Sequence, residues 1–162
     1  MRLLRDGDES AVATMVAAGP GGPGEAAATR VVIAEDHAEM ADVLRTYLEA
    51  VGYEVRVARD GVEAAAITAA FAPAVVVLDA NMPGWSGWAL LASWKGVPHE
   101  APGGTRGEAA PALPSPAPAV VMLTGDDVFP AVARHAEAVL RKPAALRTIA
   151  AVVAQQVAAR AG

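Results

Sequence analysis

Residues 74–79 have the sequence Ala-Val-Val-Val-Leu-Asp, in which five apolar side chains are followed directly by a carboxylate. A short run of this kind, rich in β-branched residues, is typical of a strand that is buried on both faces of a parallel sheet. Three other short and largely apolar runs also end at polar or charged side chains: residues 30–34 before Glu35 and Asp36, residues 119–123 before Thr124, and residues 138–141 before Lys142. A fifth strand is predicted at residues 53–58, where apolar and polar side chains alternate.

Helical patterns separate these predicted strands. Within residues 37–51 apolar side chains recur at helical spacing, and Gly52 marks the end of the helix. Four more helices are predicted, at residues 60–71, 86–94, 127–135 and 144–160. Because strands and helices alternate along the chain, we predict an α/β domain whose parallel sheet is covered by helices on both faces.

The chain divides into two parts of different composition. Residues 19–24 read Gly-Pro-Gly-Gly-Pro-Gly, which is the composition of a linker. We therefore predict that residues 1–29 form a flexible N-terminal extension and that residues 30–162 form the domain. Within the domain, residues 95–118 are rich in proline and glycine and are predicted to form a long loop.

Composition and charge exclude several classes of function. The net charge is −5 and no run of lysine or arginine occurs, so we expect no nucleic-acid partner. The chain has no cysteine, which excludes disulfides, thiolate metal sites and cysteine nucleophiles. No apolar run is long enough to span a membrane and the N-terminus does not resemble a secretory signal, so we expect a cytoplasmic protein without a membrane partner.

The polar residues at the strand ends predict a site. All strands of a parallel sheet point the same way, so Glu35, Asp36 and Asp79 are expected to meet Thr124 and Lys142 at one edge, where such sheets bind ligands. Carboxylates so close repel one another, and a hard divalent cation such as Mg²⁺ relieves that repulsion. With the cation bound, one aspartate is able to act as a nucleophile towards phosphorus. The ammonium and the hydroxyl are then placed to hold phosphoryl oxygens.

Four stretches of the chain together resemble response-regulator receiver domains. They are Val-Val-Ile-Ala-Glu-Asp at residues 31–36, Val-Val-Leu-Asp-Ala-Asn-Met-Pro-Gly at 76–84, Val-Met-Leu-Thr-Gly at 121–125 and Leu-Arg-Lys-Pro at 140–143. Their order and spacing are similar to those of the family over roughly residues 29–160. The resemblance implies a doubly wound, flavodoxin-like three-layer sandwich with five parallel strands in the order 2-1-3-4-5.

The resemblance also implies a role for each site residue. Asp79 corresponds to the phosphoacceptor, and Asp36 to the carboxylate that binds the cation, Mg²⁺ or Mn²⁺, directly. Glu35 corresponds to an acidic neighbour that acts through water, and Asn81 to the residue whose backbone carbonyl binds the cation. Thr124 corresponds to the hydroxyl that moves towards the phosphoryl group. Lys142 corresponds to the phosphate-binding ammonium, and its bond to Pro143 is typically cis in the family.

The function implied by the resemblance is that of a stand-alone receiver in a two-component phosphorelay. A sensor histidine kinase or a histidine phosphotransfer protein is the expected phosphoryl donor, and a downstream protein is the expected target. The chain is expected to be a monomer or a weak dimer. We do not expect a turnover enzyme, because phosphoryl transfer to Asp79 modifies the chain itself.

Three features depart from the family pattern. Val139 stands where the family often has Tyr or Phe, three residues before the lysine. The segment from Thr124 to Lys142 is several residues short, which predicts a trimmed fourth helix. The loop at residues 95–118 is longer than is typical.

Two other functions remain open from the sequence. A receiver-like module that binds partners without phosphorylation is favoured slightly by Val139 and by the short fourth helix. A small phosphatase on the same sheet is disfavoured, since Asn81 stands where a strand-end Asp-x-Asp motif needs a second acid. The tryptophans, at positions 85, 88 and 94, are interpreted as packing near the site or, alternatively, as a partner-binding patch. The histidines, at positions 37, 99 and 135, are interpreted as solvent-facing or local.

Overall fold

The fold is taken from a computed structural model, which describes residues 28–98, 111–125 and 128–161. Five strands alternate with five helices over these residues, as the sequence predicts. In chain order the elements are β1 (Arg30–Ala34), α1 (Ala38–Val51), β2 (Glu54–Ala58), α2 (Gly61–Phe71), β3 (Val75–Asp79), α3 (Gly87–Lys95), β4 (Ala119–Thr124), α4 (Pro130–Ala133), β5 (Ala138–Arg141) and α5 (Leu146–Ala161).

The strands form one sheet in which every neighbouring pair is parallel. Their order is β2-β1-β3-β4-β5, so β1, β3 and β4 lie inside and β2 and β5 form the edges. This confirms the predicted doubly wound, flavodoxin-like sheet. The strand order reverses between β1 and β3, and ligands of such sheets bind beyond the carboxyl ends of the strands at that point.

Side chains of the inner strands alternate between two apolar layers. On β1, Val31 and Ile33 belong to a cluster that includes residues of α1 and α5, whereas Val32 belongs to a cluster that includes residues of α2 and α3. A strand buried on both faces needs apolar residues at every position, which explains the continuous valine-rich runs. Each fully buried valine or leucine stabilises the fold by about 1.5–3 kcal/mol.

The ends of the helices follow local sequence signals. Gly52 ends α1 with a left-handed backbone conformation, φ 112°, as predicted from its position. Asp60 begins α2 by accepting a 2.7 Å hydrogen bond from the Glu63 N–H, and Ser86 begins α3 in the same way.

The fourth helix is short, as the spacing between Thr124 and Lys142 predicts. The pattern predicts a helix over 127–135, but α4 spans only Pro130–Ala133, a single turn. Four residues are too few for a stable helix by themselves, so α4 depends on its packing against α3.

Parts of the sequence predictions lie outside the described residues. The N-terminal extension falls almost entirely there, as does His99. Of the loop at residues 95–118, only the two ends are described. Among the described residues no helix has the length and hydropathy needed to cross a membrane; the longest, α5, has 16 residues.

Candidate functional site

The carboxyl edge of the sheet collects the polar side chains that the sequence singles out. Glu35 and Asp36 follow β1, and Asp79 is the last residue of β3. Carboxylate oxygens of these three residues all lie within 4.8 Å of one another. The acidic cluster predicted from the strand ends is therefore present in the fold.

Lys142 joins this cluster from the far end of the chain. Its Nζ lies 3.0 Å from Oδ2 of Asp79 and 3.1 Å from Oε2 of Glu35. Its backbone N–H donates a 2.7 Å hydrogen bond to the carbonyl of Thr124, which continues the pairing of β5 with β4 beyond the strand end. The peptide bond from Lys142 to Pro143 is cis, as the resemblance implies.

Burial of this cluster changes the pKa values of its charged groups. Glu35 and Asp79 are each only 2% exposed. Burial raises the pKa of the Glu35 carboxyl to about 7, and the hydrogen bond and charge of Asp79 add to the rise, against the His37 N–H and Lys142. Burial alone would lower the pKa of the Lys142 ammonium, but the two carboxylates outweigh it and the pKa is raised.

Local backbone geometry orients the two buried carboxylates. The N–H of Asn81 donates a 3.1 Å hydrogen bond to Oδ1 of Asp79, while the N–H of His37 donates a 3.2 Å bond to Oε1 of Glu35. His37 also begins α1, because its Nδ1 accepts from the N–H of Met40 at 3.4 Å. This histidine is exposed and acts locally, in agreement with its interpretation from the sequence.

A cleft of about 760 Å³ opens over the cluster. Asp36 and Asn81 lie in its wall and are exposed to solvent. The remaining polar lining comes from Glu35, Asp79 and Lys142, together with His37 and Glu39 near the start of α1, and apolar side chains such as Val43 of α1 complete the wall. The cleft therefore places the Asp79 carboxylate in the wall of an opening to solvent.

The donor set fits a hard divalent cation. Three carboxylates offer oxygen ligands within one small region, and Mg²⁺ prefers such ligands with water completing its shell. After burial, the hydrogen bond and charge of Asp79 contribute to the raised pKa of Glu35, and a divalent cation would offset the repulsion between the two carboxylates. The individual ligand roles of Glu35, Asp36, Asp79 and Asn81 stay predictions.

Other predicted residues are placed less directly at the site. Thr124 is the last residue of β4 and is 1% exposed, one position beyond the residue that pairs with Asp79. The role of its hydroxyl stays a prediction. Trp88 is buried and packs edge-on against Phe129, with ring centroids 5.9 Å apart. Among the described residues, no tryptophan lines the cleft.

Two features of the site have no clear signal in the sequence. The direct contact of Lys142 with Glu35 joins residues 107 positions apart, and only the assembled sheet brings them together. Gly87, at the start of α3, lies against the backbone of Asp79. A glycine directly after a serine helix cap is the one hint of such a close approach.

One stretch of the chain matches a known family. Residues 31–102 match the sequence model described as response regulator receiver domain. This segment contains the four predicted cation-binding residues and ends before Thr124 and Lys142.

Two curated relatives match a shorter segment. The chain is 45% identical over 64 residues to protein-glutamate methylesterase/protein-glutamine glutaminase 3 of Rhodospirillum rubrum, and 43% identical over 63 residues to the corresponding protein 2 of Rhodopseudomonas palustris. These segments cover 39% and 38% of this chain but only 17% of each relative. The likeness is thus confined to a small part of the relatives' length.

Solved receiver domains share the fold over most of the chain. A CheY-like receiver domain protein from Methanospirillum hungatei superposes with a TM-score of 0.63 at 20% identity, covering 80% of this chain and 94% of that one. The receiver domain of a signal transduction histidine kinase from Syntrophus aciditrophicus gives 0.60 at 25% identity, covering 82% and 92%. With the matched segment and the shared strand order, these findings confirm the resemblance to response-regulator receiver domains: residues 31–102 match the family's sequence model, and the described residues have the fold of solved receiver domains.

Proposed function

We propose that this chain receives a phosphoryl group on Asp79 from the phosphohistidine of a sensor histidine kinase or of a histidine phosphotransfer protein. The observation that carries the proposal is the position of Lys142. Its ammonium touches the carboxylates of both Asp79 and Glu35 at the mouth of an open cleft. Phosphoryl transfer adds negative charge to the acceptor carboxylate. The ammonium of Lys142 lies beside that carboxylate and is placed to balance the added charge.

The transfer conserves atoms and charge. A carboxylate oxygen of Asp79 attacks phosphorus, and the bond between phosphorus and the donor imidazole nitrogen breaks. The electron pair of that bond stays on the nitrogen, which leaves as neutral imidazole because the other ring nitrogen carries a proton. The product on this chain is an acyl phosphate with one more negative charge than the original carboxylate.

The residues of the chain divide this work. Lys142 turns from the carboxylates to a phosphoryl oxygen, and the hydroxyl of Thr124 donates to another. Glu35, Asp36, Asp79 and the backbone carbonyl of Asn81 would hold Mg²⁺ or Mn²⁺. When bound, the cation supplies the positive charge that lets the acceptor carboxylate approach a phosphoryl group.

The partners and setting follow from this chemistry. We infer a cytoplasmic protein that is a monomer or a weak dimer, with a downstream protein target and no nucleic-acid partner. Its net charge of −5 supports the last point. The chain acts as a switch rather than as a turnover enzyme, because each transfer modifies its own Asp79.

Acetyl phosphate provides a direct test. The protein is incubated with acetyl phosphate and Mg²⁺, and its intact mass is measured. We expect a gain of one phosphoryl group that is lost in Asp79→Asn. Asp42→Asn is the matched control, because Asp42 is exposed on α1 and forms ion pairs with the surface arginines Arg45 and Arg59. A mass gain that persists in Asp79→Asn would contradict the proposal.

A binding module that acts without phosphorylation is the second candidate. Two departures from the family pattern favour it: α4 is a single turn, and Val139, which is 36% exposed, stands where the family often has an aromatic residue. Both lie on the part of the surface that phosphorylation is expected to change. Beryllofluoride imitates the phosphoryl group and separates the two functions. Partner affinity that is unchanged by beryllofluoride supports the module, and affinity that changes supports the phosphorylated switch.

A further inference from the structure

The start of α3 lies directly on the backbone of the residue proposed to accept the phosphoryl group. A Cβ placed on Gly87 would lie 2.9 Å from the carbonyl carbon of Asp79 and from the Cα of Ala80, and nearer still to the Asp79 carbonyl oxygen. These are backbone atoms, so no side-chain rotation relieves the overlap. Only glycine allows the helix to approach so closely.

Both sides of this contact are held by neighbouring groups, and the α3 side is also anchored by buried side chains. The N–H of Ala80 donates to the carbonyl of Leu123 at 2.8 Å, and the N–H of Gly87 donates to the carbonyl of Ala80 at 2.9 Å. On the other side, the residues of α3 that follow Gly87 are anchored in the core, because Trp88 is 2% exposed and Leu90 is fully buried. A methyl group at position 87 must therefore displace the chain at residues 79–80.

Such a displacement moves the Asp79 carboxylate relative to its partners. The carboxylate is oriented through the N–H of Asn81, which lies within the displaced segment. Lys142 and Glu35 follow different strands, β5 and β1, and do not move with it. We therefore expect a substitution at position 87 to change the distance between Asp79 and Lys142, which is 3.0 Å.

We propose that Gly87 is a positioning residue for phosphoryl uptake: its missing side chain sets the place of the Asp79 carboxylate relative to Lys142 and the acidic cluster. The inference rests on the proposed function of Asp79 and deepens it. Gly87 touches no reacting atom and acts through the backbone of Asp79. A misplacement of about 1 Å slows a positioned reaction by about 100-fold.

The test compares two glycine substitutions. Gly87→Ala presses on Asp79, whereas Gly61→Ala, at the start of α2, places its methyl group 2.5 Å from the carbonyl oxygen of Trp85 and 3.0 Å from its Cα. Both substitutions overpack backbone atoms, but Gly61→Ala presses on Trp85, including its Cβ, and not on Asp79 or Ala80. The initial rate of phosphoryl uptake from acetyl phosphate and the half-saturating Mg²⁺ concentration are measured by intact mass, after circular dichroism confirms folding.

We expect uptake by Gly87→Ala to be about 100-fold slower than wild type, with a higher half-saturating Mg²⁺ concentration. Gly61→Ala is expected to remain close to wild type in both. Equal rates in the two variants at matched unfolding midpoints would overturn the inference while leaving Asp79 as the acceptor. A wild-type protein that takes up no phosphoryl group would instead remove the proposed function on which the inference rests.

A second variant covers the case in which Gly87→Ala does not fold. Ser86→Ala removes the hydroxyl that accepts the N–H of Ala89 at 3.1 Å and so loosens the same helix start without adding bulk. We expect slower uptake at an unchanged circular dichroism spectrum. Wild-type uptake by folded Ser86→Ala would overturn the inference.

Discussion

The two halves of the molecule contribute different chemistry and are built differently. Residues 30–98, the N-terminal half, supply the acidic side chains of the site, and residues 111–161, the C-terminal half, supply Thr124 and Lys142. In the N-terminal half, β3 is buried throughout and the helices have 14, 11 and 9 residues. In the C-terminal half, β4 is also buried throughout and α5 has 16 residues, but β5 is an edge strand of 4 residues with alternating burial and α4 is one turn.

This contrast shows where the site is rigid and where it is adjustable. The buried carboxylates of Glu35 and Asp79 lie at the ends of β1 and β3, inner strands that are held by core packing on both faces. The ammonium of Lys142 follows an edge strand and reaches the carboxylates across the boundary between the halves. Elements with fewer buried contacts open at lower free-energy cost, so we expect the proposed phosphorylation to act on α4 and β5.

The largest effect is expected from a substitution that removes the contacts of Lys142 with the N-terminal half. Lys142→Met leaves Glu35 and Asp79 buried without a cation, which costs about 3 kcal/mol of unfolding free energy when divalent ions are removed with EDTA. Added Mg²⁺ restores part of this loss, because it replaces the missing positive charge. Urea unfolding in EDTA and in Mg²⁺ measures both quantities.

The chain offers one other lysine as the matched control. Lys95 pairs with Glu137 at 3.6 Å, and both side chains are partly exposed. Lys95→Met is expected to cost less than about 1 kcal/mol and to show no recovery specific to Mg²⁺. Equal losses in the two variants would mean that Lys142 does not neutralise the acidic cluster.

A second test applies one substitution to a strand in each half. Val77 of β3 is fully buried, whereas Val139 of β5 is 36% exposed. Val77→Ala is expected to lower the unfolding free energy by about 2 kcal/mol through lost burial and a residual cavity. Val139→Ala is expected to cost about 0.5 kcal/mol or less. Urea unfolding of both variants decides, and similar costs would contradict the contrast in packing between the two strands.

Most of the fold was predictable from the sequence because its signals are local. Continuous apolar runs mark the strands buried on both faces, and alternation of those runs with helical patterns requires a parallel sheet. Gly52 correctly predicted the end of the first helix, and Pro73, which is unfavourable inside a helix, lies just beyond the end of α2 at Phe71. The extent of α4 was less predictable, since a single turn that depends on packing against α3 has no periodicity of its own.

The residues of the site were predictable from the sequence, but the contacts between them were not. Strand ends located Glu35, Asp79 and Lys142, because parallel strands all end at one edge. The sequence did not indicate that Lys142 contacts Glu35 directly, since the resemblance assigned Glu35 a role through water. The approach of Gly87 to Asp79 was also hidden, because a backbone contact depends on how α3 is placed against the sheet and not on residue type.

The smallest expected effect concerns the aromatic contact that joins α3 to the start of α4. Trp88, in the N-terminal half, meets Phe129, in the C-terminal half, with ring planes at 64°. Phe129→Leu keeps an apolar side chain but removes the edge-on contact, which is expected to cost about 1 kcal/mol. Tryptophan emission is expected to shift, because one face of the Trp88 indole loses its neighbour.

The other phenylalanine provides the control for this last test. Phe71, in the N-terminal half, is buried beneath the guanidinium groups of Arg30 and Arg56, which lie 5.1 and 4.8 Å from its ring centroid. Phe71→Leu is expected to lower stability as well, through lost burial and lost cation–π contacts, without shifting the emission. If Phe129→Leu left both stability and emission unchanged, the single turn of α4 would not be held by Trp88, and the boundary between the halves would rest on Lys142 and the sheet.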